Sequence, residues 1–208
     1  MKLQLALDDF GLPEAIEMAD KAKDHVDIIE IGTPFIIDCG MEAVRQIARR
    51  FPDKEVLADE KIMDGGYHEA ALAFEAGAEY VTVLAVTSDK TVEGCVRAAQ
   101  DYGGQVVVDM IGVKDLPPRV AELEQLGVDY LAVHTAVDEQ AAGRTPLGDL
   151  KVMKECAVSV KIAVAGGINA STIRDYVALG PEIVIVGSGI CHVENPAEAA
   201  RLIKEAMN

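Results

Sequence analysis

Tryptophan is absent and aromatic residues make up 4% of the 208-residue chain, while half of it is hydrophobic. Packing therefore falls to Ala, Val, Ile and Leu, the usual balance of short buried strands under helices. Positive charge is also scarce: 19 Lys and Arg stand against 35 Asp and Glu, for a net charge of -16. That argues against a nucleic-acid partner, whose phosphates select basic surfaces. An anionic small molecule would have to be held locally, by a few donors and a metal. The four cysteines (Cys39, Cys95, Cys156 and Cys191) are scattered without a C-x-x-C pair, so neither a zinc site nor a disulfide framework is expected. No apolar run reaches the roughly 18 residues needed to span a membrane. Residues 2–8 already read as a strand rather than a signal peptide, so the expectation is a cytoplasmic protein with no membrane partner.

Short apolar runs alternate with helical spacing along the whole chain. Strands are expected at 3–7, 27–31, 55–58, 80–84, 105–109, 130–134, 161–165 and 183–186. Helices are expected at 13–23, 40–50, 67–76, 90–102, 116–126, 147–156, 170–179 and 196–207. Pro13, Pro117 and Pro196 fall near first turns, where a missing N–H costs nothing. Gly77, Gly103, Gly127 and Gly180 fall just past helical runs, where a left-handed residue ends a helix. Eight strand–helix units in 208 residues predict a single-domain α/β fold, a (β/α)₈ TIM barrel over residues 1–208. The competing open dinucleotide-binding sheet predicts G-x-G-x-x-G after the first strand. That turn reads Asp8-Asp9-Phe10-Gly11-Leu12-Pro13 instead, and no Walker A motif occurs.

A barrel of this kind carries its site at the C-terminal ends of its strands. Those ends supply Asp8, Glu30, Asp59 with Lys61, Asp109, His134, Gly166-Gly167 and Gly187-Ser188-Gly189. Strand alternation puts Asp59 and Lys61 on one face, and flanking carboxylates favour a charged lysine, a fixed cation rather than a proton acceptor. A minor surface ion pair is the competing reading. Glu30 and Asp59 are hard oxygen donors at adjacent strand ends, the material of a Mg²⁺ site, although Glu30 could instead cap a loop or pair with Lys61. Asp8 could bind metal indirectly, orient Lys61 or be structural. His134 ends an apolar strand and is read as a general acid/base. Gly166, Gly167, Gly187 and Ser188 close the last two strands, where this fold recurrently binds phosphate and a helix N-terminus adds its dipole. Asp64 lies past its strand, on the turn into the next helix. His25, His68 and His192 are expected on the solvent side, Asp138-Glu139-Gln140 as a solvated face, and Arg144 and Lys151 without assigned roles.

These residues resemble the orotidine-monophosphate-decarboxylase superfamily. The resemblance is carried by Ala6-Leu7-Asp8, Glu30-Ile31-Gly32-Thr33-Pro34, Asp59-x-Lys61-x-x-Asp64, His134, Ala165-Gly166-Gly167-Ile168 and Val186-Gly187-Ser188-Gly189-Ile190. It covers essentially the whole chain, and within the superfamily it is most similar to the 3-hexulose-6-phosphate synthase family. The related 3-keto-L-gulonate-6-phosphate decarboxylases place arginines where this chain has Val137 and Ser188, which favours the synthase pattern. Glu60 departs from the pattern, which usually has a small or apolar residue there. The resemblance implies a Mg²⁺-dependent aldol reaction between formaldehyde and D-ribulose 5-phosphate, with sugar phosphate and formaldehyde as the small-molecule partners. It also implies a homodimer in which Asp64 acts in the partner subunit's site. The alternatives are the decarboxylase, a Schiff-base aldolase, which needs a neutral lysine, a related epimerase, which typically wants more histidine ligands at the strand ends than His134 alone supplies, and a non-catalytic sugar-phosphate-binding barrel.

Overall fold

A computed structural model describes the backbone of residues 1–208 and every side chain except that of Val137. The strands are β1 (Lys2–Leu7), β2 (Ile28–Ile31), β3 (Glu55–Ile62), β4 (Tyr80–Leu84), β5 (Gln105–Asp109), β6 (Tyr130–His134), β7 (Lys161–Ala165) and β8 (Ile183–Val186). They close into one barrel in chain order, each parallel to its neighbours. The helices are α1 (Leu12–Ala22), α2 (Thr33–Cys39), α3 (Met41–Arg50), α4 (Gly66–Ala76), α5 (Asp89–Tyr102), α6 (Leu116–Gln125), α7 (Val137–Gln140), α8 (Leu147–Cys156), α9 (Ile173–Val177), α10 (Ser188–Cys191) and α11 (Pro196–Ala206). No helix among the described residues is long and apolar enough to cross a membrane.

Alternation along each strand sorts side chains into two cores. One set, Ile28, Leu57, Tyr80, Val107, Tyr130, Ala132, Ala163 and Ile183, points inward and fills the barrel. The opposite set, including Leu3, Leu5, Leu7, Ile29, Ile31, Val56, Val81 and Val108, packs under the helices. The strands most buried on both faces are therefore the near-continuous apolar runs.

The N-terminal end of the barrel is closed by a repeated device. The carboxylate just before each even-numbered strand accepts the N–H of the second residue of the strand before it. Leu3 donates to Asp27 at 2.7 Å, Val56 to Glu79 at 2.6 Å, Val106 to Asp129 at 2.8 Å and Ile162 to Glu182 at 2.7 Å. Lys2 Nζ adds bonds to both Glu55 oxygens and, at 3.0 Å, to the Tyr80 hydroxyl. Each end-of-ladder donor thus has an acceptor.

The expected boundaries hold closely for β4 to β8, and prolines sit in the first turn of α1, α6 and α11. Gly77, Gly103, Gly127 and Gly180 all have positive φ, from 63° to 106°. Three short helices, α2, α7 and α10, were not expected, and the helix expected over 170–179 narrows to α9. Asn169 explains the late start: its side chain accepts from the Ser171 amide and hydroxyl, at 2.9 and 2.6 Å. Such local bonds favour a turn over a helix. The other difference is β3, which runs on to Ile62 rather than stopping at Ala58.

Candidate active site

The C-terminal mouth opens onto a cavity of about 560 Å³ whose lining includes Asp8, Glu30, Asp59, Lys61, Asp109, His134, Gly166, Gly167, Gly187 and Ser188. Ten of the strand-end residues singled out from the sequence therefore share one space. Asp64 does not. It is exposed and belongs to a separate hollow with Gly65, Tyr67, His68, Lys90 and Arg97, and its Oδ1 accepts the Gly65 N–H at 2.7 Å.

The centre is built on an irregularity in β3. Its pairing with β4 runs Leu57 to Tyr80 and Ala58 to Val81, then resumes only at Ile62 with Val83. Four steps of β3 are thus matched by two of β4, a bulge, with Lys61 at a φ of 49°. No other non-glycine among the described residues has a positive φ. Such a conformation costs about 1–2 kcal/mol outside glycine and collects at functional sites. The expectation that Asp59 and Lys61 meet is met, but by this bulge and not by plain alternation.

Lys61 Nζ contacts Asp59 Oδ2, donates to Thr33 Oγ1 at 2.9 Å and lies 3.9 Å from Asp109 Oδ2. Asp59 also accepts from the Thr33 hydroxyl at 2.9 Å and the Thr82 hydroxyl at 2.7 Å. Burial works against charging Lys61, but Asp59, then Asp109 and Glu30, outweigh it and hold the amine above its usual range. Burial likewise opposes the Asp59 charge, and Lys61 with the two threonine hydroxyls overcomes it, leaving that carboxyl below its usual range. Asp109 ties the two sides of the mouth together: its Oδ2 also bonds His134 Nδ1 at 2.8 Å, while its Oδ1 accepts the Ile111 N–H at 2.9 Å. His134 is pushed down by burial and, more strongly in sum, up by Asp109, so it ends above the ordinary imidazole value.

Glu30 is buried at the cavity wall, accepts from Gln4 Nε2 at 2.6 Å, and is pushed well up by burial and then by the charges of Asp59 and Asp8. It neither caps a loop nor bonds Lys61. Asp8 is raised by burial and then by Asp59. Its carboxylate lies so close to Gly32 that a methyl group there would come within 2.1 Å of Asp8 Oδ1. That close approach is the physical reason for glycine between Ile31 and Thr33.

A magnesium ion fits this donor set. Asp8, Glu30 and Asp59 bring three carboxylates to one mouth, and the buried Gln4 Oε1 beside Glu30 has no hydrogen-bond partner. Among the described residues no group of three ligating side chains is placed to hold a metal ion, so an ion here would take one or two carboxylates and fill its shell with water and substrate oxygens.

The phosphate end departs from expectation in one respect. Gly166 and Gly167 take φ of 122° and 67°, and a methyl group on Gly166 would sit 3.0 Å from the Thr135 carbonyl, so the turn requires glycine. The expected helix dipole is weak, however. α10 is a single turn, and the helix after Gly167 begins only at Ile173. Exposed backbone, rather than a long helix, would have to hold an anion here.

Sequence reasoning missed several lining residues. Gln140, read as part of a solvated face, lines the cavity and donates to the Thr135 carbonyl at 2.8 Å; His192, read as solvent-side, is exposed but sits on the rim. Gln4, Thr33, Thr82 and the linking role of Asp109 also went unread. A signal existed for three of them, since Gln4, Thr82 and Asp109 occupy the inward parity of otherwise apolar strands. Glu60 faces away from the mouth, toward Glu69 and Cys95. Burial, then Glu69 and Asp59, push it to about 8, and its Oε2 is buried without a partner. Arg144 pairs on the surface with Glu139 and Asp149, at 3.1 and 3.2 Å. Val137 lies outside the described side chains.

Known proteins share this architecture and sequence. 3-Hexulose-6-phosphate synthase 2 of Staphylococcus saprophyticus is 45% identical over 208 residues, covering 100% of this chain and 98% of the relative. The crystal structure of 3-hexulose-6-phosphate synthase from Salmonella typhimurium is 56% identical with a TM-score of 0.98, covering 100% of this chain and 98% of that one. That of 3-keto-L-gulonate-6-phosphate decarboxylase from Vibrio cholerae is 26% identical with a TM-score of 0.86, covering 99% and 96%. The orotidine 5'-phosphate decarboxylase / HUMPS family matches residues 1–203. With that match and full-length relatives well above 30% identity, the chain belongs to the orotidine 5'-phosphate decarboxylase / HUMPS family.

Proposed function

We propose that the chain is a cytoplasmic Mg²⁺-dependent aldolase that joins formaldehyde to D-ribulose 5-phosphate, giving 3-hexulose 6-phosphate reversibly. The observation that carries this reading is the Asp59–Lys61–Asp109–His134 chain of contacts across one cavity, in a protein whose full-length relatives bear the name of that synthase.

Removing the proton beside a carbonyl leaves negative charge on the carbonyl and neighbouring oxygens, and fixed positive charge lowers the barrier to forming it. Lys61 is such a charge, held in place by Asp59 and Thr33 before substrate arrives. Glu30 and Asp59 would hold the magnesium ion, which adds Lewis-acid stabilisation to the same oxygens when bound. In this reading His134 carries its proton on Nδ1, bonded to the Asp109 carboxylate, so that Nε2 keeps its lone pair on a ring that lines the cavity. Nε2 takes the proton from the sugar carbon, the carbon's electron pair forms the new bond to formaldehyde, and the resulting alkoxide recovers a proton from the imidazolium. Against the pull of burial, Asp109 holds His134 above the ordinary imidazole value, so the proton-accepting neutral form grows in as pH rises. The glycine turns at Gly166-Gly167 and at Gly187 with Ser188 would receive the phosphate.

The functional unit in this reading is a homodimer with shared sites. Asp64 lies outside its own cavity, and the segments that follow β2, β3 and β4 expose Ile37 (in α2) at 80%, Met63 at 54% and Val86 at 48%. A second copy would cover these apolar side chains and receive Asp64. The direct test supplies ribulose 5-phosphate with formaldehyde, and 3-keto-L-gulonate 6-phosphate separately, to Mg²⁺-replete protein. Formaldehyde consumption without CO₂ release is the expected result; CO₂ release from the gulonate ester alone would replace this reading with the decarboxylase, and turnover of neither would leave a binding barrel.

A further inference from the structure

The β3 bulge needs something to hold it. Between Ala58 and Ile62 the ladder to β4 is interrupted, so the backbone amides of that segment lose their regular partners. One of them, the Lys61 N–H, is taken up by a side chain: it donates to Thr82 Oγ1 at 2.9 Å. The same hydroxyl donates its own proton to Asp59 Oδ1 at 2.7 Å. Thr82 is only 6% exposed and stands at the middle of β4, at the inward parity it shares with Tyr80.

We propose that Thr82 is a positioning residue for the reaction, its single hydroxyl pinning the bulged Lys61 backbone to the Asp59 carboxylate so that both charged groups face the substrate together. A hydroxyl suits the task because it has one donor and two acceptor lone pairs, and can serve a carboxylate and an amide at once. Valine has the same shape and neither function. Serine keeps both. Without the pin, Lys61 is free to leave its left-handed conformation for the extended one that a side chain prefers. That change re-aims the amine, whereas the phosphate turns at Gly166 and Gly187, on other strands, are untouched.

Two readouts separate the pin from the reaction assigned to it. The functional half rests on the aldolase reading above; the structural half does not. For the structure, amide hydrogen exchange at Lys61 is compared in the full-length wild type, Thr82→Val and Thr82→Ser, with Ile62 as internal reference. Loss of the acceptor is expected to speed Lys61 exchange at least about tenfold in the valine variant, with the serine variant close to wild type. For function, Thr82→Val is expected to lower kcat about 10- to 100-fold, the cost of one hydrogen bond to a charged group. KM for ribulose 5-phosphate should change far less, and Thr82→Ser should recover most of kcat. If Thr82→Val fails to fold, Thr82→Ala serves the same comparison with serine. Unchanged Lys61 exchange in the valine or alanine variant overturns the pin whatever the reaction. Faster exchange with kcat unaffected, or a serine variant as impaired as valine, overturns the positioning role. Absence of formaldehyde-dependent turnover in the wild type counts against the aldolase reading alone, and the exchange result then decides the pin.

Discussion

The two ends of the barrel are both rich in acids and treat them in opposite ways. At the closed end, Asp27, Glu79, Asp129 and Glu182 each take a backbone N–H from the neighbouring strand, and Lys204 and Lys154 add partners to Asp27 and Glu182. At the open end, Asp8, Glu30, Asp59 and Asp109 gather around one lysine and one imidazole, and burial pushes Asp8 and Glu30 toward neutrality. Satisfied acids stabilise a fold. Crowded, under-neutralised acids destabilise it and persist where they are used, as charge that a cation or a reacting molecule completes. The same residue type is thus structural at one end and chemical at the other, and substitutions should separate stability from turnover accordingly.

The largest effect is expected from Asp59→Ala. It removes a magnesium donor and the partner that holds Lys61, so turnover should fall by about 10³-fold or more while the circular dichroism spectrum is unchanged. Full activity would remove Asp59 from the chemistry. His134→Gln follows, with an expected loss of about 10²–10⁴-fold in kcat. The sign of the pH dependence is fixed by the base role: protonated imidazole cannot accept a proton, so kcat/KM in the wild type should rise with pH through a midpoint above the ordinary imidazole value of 6.5. The rise should be absent in His134→Gln. A wild-type profile flat from pH 5 to pH 9 would contradict that role (about two units either side of neutrality are enough to see it).

Mixing inactive Lys61→Ala with inactive Asp64→Ala chains should restore about a quarter of wild-type sites, since each mixed dimer of a twofold assembly holds one intact site. No recovery despite demonstrated subunit exchange would confine each site to one chain. The smallest effects belong to groups away from the mouth. Asp129→Ala at the closed end should cost about 1–3 kcal/mol in stability through its orphaned amide, with kcat unchanged. Glu60→Leu removes a half-buried acid with one buried, unpartnered oxygen and should raise stability by about 1 kcal/mol, read as a Tm increase of a few degrees. A fall in kcat on Asp129→Ala, or a drop in Tm on Glu60→Leu, would blur the division between the two ends.

The barrel was legible because each strand is a short run of Val, Ile, Leu and Ala bounded by turn residues, a local signal that tertiary packing had only to ratify. The mouth was legible because strand ends have fixed parity, which brought Glu30, Asp59, Asp109 and His134 to one side. The bulge at Lys61 was not. Nothing in Asp59-Glu60-Lys61 announces a left-handed lysine, because the partner that stabilises it, Thr82, lies 21 residues on in another strand. The bracing of the closed end was readable and went unread: an acid stands immediately before β2, β4, β6 and β8. Gln140 was misplaced because the short helix after β6 turns it toward the cavity, whereas His192 is exposed as expected and also reaches the rim.

Metal removal tests the central claim most directly. Protein treated with EDTA and assayed with ribulose 5-phosphate and formaldehyde should lose its turnover, and Mg²⁺ added back should restore it. Undiminished turnover in EDTA, with borohydride trapping substrate on Lys61, would contradict the account, because an imine requires the neutral amine that Asp59 and Asp109 oppose.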